Sequence, residues 1–256
     1  MQYPLDAAAD SDGNVYVADR RLPGVWKIEK GKRSALFTAS KKFRTPLNAV
    51  WCVAVSPSQE GSPAQIFAGD SATREVYQLS ADQPPKPLTQ GGIGIPISLA
   101  VAASGEIYAA DMELQRIWKI PAGGGKPELF CEVPAPRGVW LDKQNRLWVV
   151  SQGKDQLLRF TADGKKQTIV AGRPFRFPHS VAVDAENNAY VSDSYSKAVW
   201  KVPAGEGAKP QKWASGQPLI HPAGLAWSGQ QLLTADPKAK TVFQISPEGK
   251  VLPLGM

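Results

Sequence analysis

Cations and aromatic rings alternate in one stretch of this chain in a way that could hold an anion. Arg173-Pro174-Phe175-Arg176-Phe177 runs directly into Pro178-His179. A guanidinium meets carboxylate or phosphate through paired N–H donors, and neighbouring rings can stack on a flat ligand or a base. The same stretch could instead be a loop that packs Phe175 or Phe177 onto the fold and leaves its arginines in water. A second chemistry is suggested by Asp19, Asp70, Asp111, Asp193 and Asp236, since grouped carboxylates suit a hard cation. These aspartates recur once per sequence repeat, with Ser151 at the fourth position. A residue required by nearly every repeat is better suited to a turn, its carboxylate accepting loop N–H groups. The two cysteines and two histidines are too few for a cysteine cluster or a three-histidine zinc site. Neither a Gly-x-Ser-x-Gly elbow nor a P-loop is present. We therefore expect no catalytic residue, metal or cofactor.

The elements that carry these residues follow from one spacing. Six positions after each anchor stands an aliphatic residue, Val25, Val76, Ile117, Leu157, Val199 or Val242, followed by Trp26, Tyr77, Trp118, Leu158, Trp200 or Phe243. The anchors lie 51, 41, 40, 42 and 43 residues apart. A period near 40 without helical patterning predicts a β-propeller, one blade per repeat. The fold class is thus all-β, six-bladed, with four antiparallel strands per blade. One domain over residues 1–256 is expected, with blades near 4–45, 46–95, 96–135, 136–177, 178–221 and 222–256.

Proline opens five repeats, Pro4, Pro96, Pro136, Pro178 and Pro222, and suits the first residue of a strand because it has no N–H to give. A longer turn, Ser56 to Gln65, explains the wide first interval. The second aromatic row, Tyr16, Phe67, Tyr108, Trp148 and Tyr190, is expected to pack between blades, and so are Trp26, Trp118 and Trp200. Each blade is expected to come from one continuous repeat, so the first and last blades meet by face packing alone.

In an antiparallel meander the first strand starts, and the second ends, at the same edge. The residues after the opening positions therefore gather at one mouth of the central channel: Trp51, Arg137 and His179, with Asp6, Ser98 and Ser180 just below. Loops should add Arg20, Arg21, Met112, Gln152, Tyr195 and Lys197, then Phe43, Arg44, Phe175, Arg176 and Phe177.

The net charge of +7 is scattered over several loops, which reads as a solubilising surface. Cys52 and Cys131 fall in different blades, too distant for a disulfide. No apolar run is long enough to span a membrane. No signal peptide is read at Met1, and secreted or periplasmic placement stays open if a leader has been trimmed.

Several segments resemble NHL repeats: Asp12-Gly13-Asn14-Val15-Tyr16-Val17-Ala18-Asp19, Gly105-Glu106-Ile107-Tyr108-Ala109-Ala110-Asp111 with Arg116-Ile117-Trp118-Lys119-Ile120, and Asn188-Ala189-Tyr190-Val191-Ser192-Asp193. The resemblance implies a six-bladed propeller and, most often, a binding scaffold. The family's Arg before the third strand is matched only by Arg116; Gly24, Glu75, Gln156, Ala198 and Thr241 stand elsewhere. The chain is thus similar to a divergent member, or to a cousin among gluconolactonase-like propellers. That second group implies a channel metal, for which only Asp6 is a suitable ligand here. Phe177-Pro178-His179-Ser180-Val181-Ala182-Val183-Asp184 also resembles a strand opening of peptide-amidating lyases, which implies a three-histidine zinc. His221 precedes Pro222 and is out of register for it.

We expect a monomeric, non-catalytic binding propeller. Its site is Trp51, Arg137, His179, Arg176, Tyr195 and Asp6, and its partner a protein segment or an anionic small molecule. The alternatives are a divergent hydrolase or lyase acting through Asp6, Asp193 and His179, and RNA binding through Lys41, Lys42, Arg44, Arg173 and Arg176.

Overall fold

A computed structural model describes residues 1–40, 42, 44–58 and 63–255. Lys41 and Phe43, expected on the upper face, lie outside the described residues. Six four-stranded meanders account for all the strands. The first holds β1 (Pro4–Ala9), β2 (Val15–Asp19), β3 (Gly24–Glu29) and β4 (Lys32–Thr38). The second holds β5 (Val50–Val55), β6 (Ile66–Asp70), β7 (Glu75–Ser80) and β8 (Gln83–Pro87). The third holds β9 (Pro96–Val101), β10 (Ile107–Asp111), β11 (Arg116–Ile120) and β12 (Glu128–Glu132). The fourth holds β13 (Pro136–Leu141), β14 (Leu147–Ser151), β15 (Leu157–Phe160) and β16 (Lys166–Val170). The fifth holds β17 (Pro178–Val183), β18 (Ala189–Asp193), β19 (Ala198–Val202) and β20 (Gln211–Ser215). The sixth holds β21 (Leu225–Ser228), β22 (Gln231–Asp236), β23 (Thr241–Ile245) and β24 (Val251–Pro253). The chain is a six-bladed β-propeller. Among the described residues none is helical, and no helix is long and apolar enough to cross a membrane.

Blade stacking explains why the second strands read as unbroken apolar runs. All five residues of β2, β6, β10, β14 and β18 are buried. Both faces of each blade are covered by neighbours, so inside–outside alternation disappears. Six apolar layers result, one between each pair of adjacent blades. Tyr16, Phe67, Tyr108, Trp148 and Tyr190 lie buried in five of them. Trp118 and Trp200 pack, half-buried, against the layers between blades 2 and 3 and between blades 4 and 5, and Trp26 is half-buried as well. The cationic side chains of Arg33, Arg116 and Lys212 cover their rings. Their indole N–H groups reach Leu22 O, Asp111 and Asp193. Besides this packing, the three rings tie loops through their indole N–H groups.

Ring closure uses no strand exchange, as the continuous first and last meanders require. The sixth blade departs from the pattern. Its first strand begins at Leu225 rather than Pro222, although Ala223 N still donates to Ala235 O at 2.8 Å. The expectation that blades 1 and 6 meet by face packing alone is corrected: Gly224 N donates to Leu5 O at 3.0 Å and bridges them through the backbone.

Candidate anion-binding site at the upper mouth

The anchor aspartates are scaffold. Asp111 accepts from the N–H groups of Gly94, Ile95, Glu113 and Leu114 at 2.7–3.1 Å. Asp236 does the same for Ile220, His221, Lys238 and Ala239 at 2.7–3.1 Å. Each carboxylate thus clips the loop entering a blade to the loop leaving its second strand, and each is fully buried. Ser151 does a smaller version, donating to Pro134 O at 2.6 Å and accepting from Gly153 N at 2.8 Å. Burial alone would raise the Asp193 carboxyl. The Ser196 hydroxyl and the N–H groups of Arg176, Phe177 and Ser196 outweigh that and hold it below the usual range.

A β-bulge above the anchors aims the site residues. Pro4 pairs with Asp19 but Asp6 with Ala18, so Leu5 is the extra residue. Trp51 and Ile97 are displaced in the same way. In β13 and β17 the register shifts between Pro136 and Val139 and between Pro178 and Val181, across Arg137 and His179. A bulge leaves a residue out of the ladder and re-aims its side chain. Leu5, Trp51, Ile97, Arg137, His179 and Ala223 accordingly ring a small cavity of about 50 Å³.

Below them runs a second ring with a three-fold alternation. Asp6, Ser98 and Ser180 accept from Val53 N, Val139 N and Leu225 N of the following blade at 3.1–3.2 Å. The intervening blades place Cys52, Gly138 and Gly224 at that level. A Cβ on Gly138 would stand 2.6 Å from Ser180 Cα, and one on Gly224 2.5 Å from Asp6 Cα. Only glycine lets the strands approach so closely at those two places.

The upper ring divides into two patches. On blade 2, Trp51 carries the Arg20 guanidinium 4.6 Å above its ring. Across the channel, blades 4 and 5 supply the denser patch, with Phe177 at its hub. The Arg137 guanidinium lies 5.5 Å from the Phe177 centroid, the His179 ring 5.1 Å away, and Tyr195 stacks on it at 4.8 Å. Arg137 Nη2 donates to Gln152 Oε1 at 3.1 Å, and Nη1 lies 3.2 Å from Met112 Sδ. Its Nε is buried without an acceptor. Among the described residues no carboxylate stands within ion-pair distance of it. Burial lowers the Arg137 guanidinium below its ordinary value, yet an arginine remains a cation.

The other expected site residues fall as follows. Arg176 is exposed, and it is its backbone N–H that is held, by Asp193 at 2.8 Å. Phe175 is core, 2% exposed, pinned by Gln156 and edge-on to Trp200 at 5.8 Å. The cation–aromatic stretch therefore splits: Phe175 packs inward and Phe177 faces the mouth. Tyr195 is 63% exposed. Asp6 sits one level below the rest. Burial, with the Arg137 and His221 charges as smaller causes, pushes His179 down to about 3, so it is neutral; its Nε2 lies 3.1 Å from Ser194 Oγ. Sequence reasoning missed that the His221 ring lies 5.4 Å from that of His179. The signal was its place in the loop before Pro222, which opens on the same face.

Two imidazoles without a third do not make the zinc site that amidating-lyase resemblance implies. Among the described residues no three His, Cys, Asp or Glu side chains are grouped to hold a metal.

Comparison with known proteins agrees with this propeller. Residues 175–202, which span β17 to β19, match the model of the NHL repeat family. Over 77% of the chain the sequence is 25% identical to peptidyl-glycine alpha-amidating monooxygenase A of Xenopus laevis, and 24% identical to its B form. The chain spans about a quarter of those relatives' length, 24% and 26%. A virginiamycin B lyase from Staphylococcus aureus superposes with a TM-score of 0.72 at 15% identity, covering 100% of this chain and 85% of that one. A gluconolactonase from Xanthomonas campestris gives 0.75 at 14% identity, covering 99% and 87%. At such identities the likeness is one of fold.

Proposed function

We propose that the upper mouth recognises a carboxylate- or phosphate-bearing partner, a small molecule or an acidic protein segment, and binds it without transforming it. One observation carries this: Arg137 is a half-buried guanidinium with a buried, unsatisfied Nε and, among the described residues, no acid within ion-pair distance. Phe177, Tyr195 and His179 form an apolar wall at its side, and Arg20 on Trp51 adds a second cation across the opening. An anion on Arg137 would supply the missing acceptor in a site partly screened from water, where a charged hydrogen bond is strongest. Titration with citrate and with inorganic phosphate tests it. Arg137→Ala should weaken the tighter ligand by about tenfold or more, and unchanged affinity would remove the site.

A second reading, a hydrolase or lyase, is favoured by the curated relatives' similarity over 77% of the chain. It is tested by metal analysis of purified protein together with turnover of lactone and amidated-peptide precursors. Stoichiometric metal and turnover would replace the binding proposal.

A further inference from the structure

The channel is divided. Asp6, Ser98 and Ser180 line the small upper cavity and also a second one of about 380 Å³ beneath it. That volume lies within the range of small-ligand pockets, about 300–1,000 Å³. Val53, Leu99, Val139, Trp140, Leu225 and Trp227 make its walls. It opens at the lower face, between the turns that join first and second strands.

Two residues that line this chamber, Asp6 and Trp227, carry polar groups that lack matching partners. The Asp6 carboxylate, at the inner end, accepts from Val53 N at 3.2 Å, and among the described residues no Lys or Arg stands within ion-pair distance of it. The Trp227 indole Nε1 is buried without an acceptor. Asp10, at the outer rim, differs: Asn14 and Tyr16 already occupy its carboxylate. A buried acid with no cation beside it, at the end of a cavity walled largely by Val, Leu and Trp, is complementary to a cation that brings its own apolar body, because pairing offsets the cost of burying either charge alone.

We propose that the lower channel is a second ligand site, taking a small molecule with an apolar or aromatic body and an ammonium group that pairs with Asp6. This stands on the lower cavity alone and does not require the upper mouth to bind anything. Burial pushes the Asp6 carboxyl up to about 7. The ionisable groups that face it are Cys52 from β5, and Arg137 and His179 in the ring above; Asp10 lies at the far rim, and β9 and β21 present only Ser98 and Leu225. An ammonium binds the ionised acid, so binding below that pH must expel a proton. The affinity should then fall by up to about tenfold per pH unit as pH drops below the Asp6 value and level off above it.

Calorimetric titration with 2-phenylethylamine, and with neutral 2-phenylethanol as its isostere, is the test. At about pH 8 the amine should bind about tenfold tighter than the alcohol, and near pH 5.5 that advantage should largely vanish. Asp6→Asn, which keeps an acceptor for Val53 N, should remove the advantage. Trp140→Leu, in the lower wall, should weaken both ligands. Equal affinities at the higher pH, an amine affinity that ignores pH, or amine binding that survives Asp6→Asn would each overturn the proposal. So would a lack of measurable amine binding. If Asp6→Asn fails to fold, the two ligands at two pH values on the unaltered protein still decide.

Discussion

A guanidinium drawn half out of water needs an anion to balance it, and among the described residues Arg137 meets an amide oxygen, a thioether and a ring but no carboxylate within ion-pair distance. Sites kept for binding commonly hold such destabilising groups. Arg137→Met should therefore raise the unfolding free energy by about 1 kcal/mol while abolishing anion binding; urea denaturation and titration of one variant measure both. Asp6 makes a pH prediction. Its folded value of about 7 lies above that of an unfolded aspartate. The folded state therefore holds the extra proton between the two values, and stability falls as pH rises from about 4 to about 7. Asp6→Asn should raise the melting temperature at about pH 8 and lose that advantage by about pH 4. His179, lowered to about 3, acts in the opposite sense, its contribution present above the unfolded value and lost as pH falls. Comparing the variant with the parent at each pH isolates Asp6. At this scale the place of Arg137, His179 and Trp51 at the channel mouth was legible in the sequence, because a regular frame exposes the residues that break it. The missing acid beside Arg137 was not, since it depends on what the fold brings near.

At the element scale, clip and bulge divide the work. The six-residue spacing announced a loop device, and the carboxylates do hold those loops. Asp193 joins Arg176 and Phe177 to the turn at Ser196, so it positions the aromatic hub as well as stabilising blade 5. Asp193→Ala should cost about 2–4 kcal/mol by chemical denaturation, since it strands several buried N–H donors at once. Ser151→Ala, which loses two bonds, should cost about 1 kcal/mol. Because Asp193 is depressed, its contribution is intact above about pH 4 and fades as pH falls through its folded value. The bulge left no trace in residue types: Leu5, Trp51, Ile97, Arg137 and His179 share nothing but position. Meander geometry already puts them at the mouth; the register of the ladder adds the bulge by which they are turned into it.

For the whole molecule, period and proline placement were enough to specify six blades, because every repeat solves the same packing problem. The layer between blades 6 and 1 differs from the others. Ala7, Val15, Val17, Ile28, Leu233, Ala235 and Val242 fill it without a buried aromatic ring, whereas each of the other five layers holds at least one. With a smaller apolar layer, this seam should open first even though the Gly224–Leu5 backbone bond crosses it. Hydrogen exchange should be faster in β1 and β22 than in the equivalent β13 and β18; equal protection would contradict a weak seam. The charge of +7 is spread widely, so a partner held at the mouth should depend on Arg137 more than on total charge. The central claim is tested most directly by a crystal structure of the protein with citrate. The account predicts a carboxylate of the ligand within hydrogen-bond distance of the Arg137 guanidinium, against the Phe177 and Tyr195 wall. Citrate held instead by the outer loops at Lys42, Arg44 or Arg173, with Arg137 unoccupied, would contradict it.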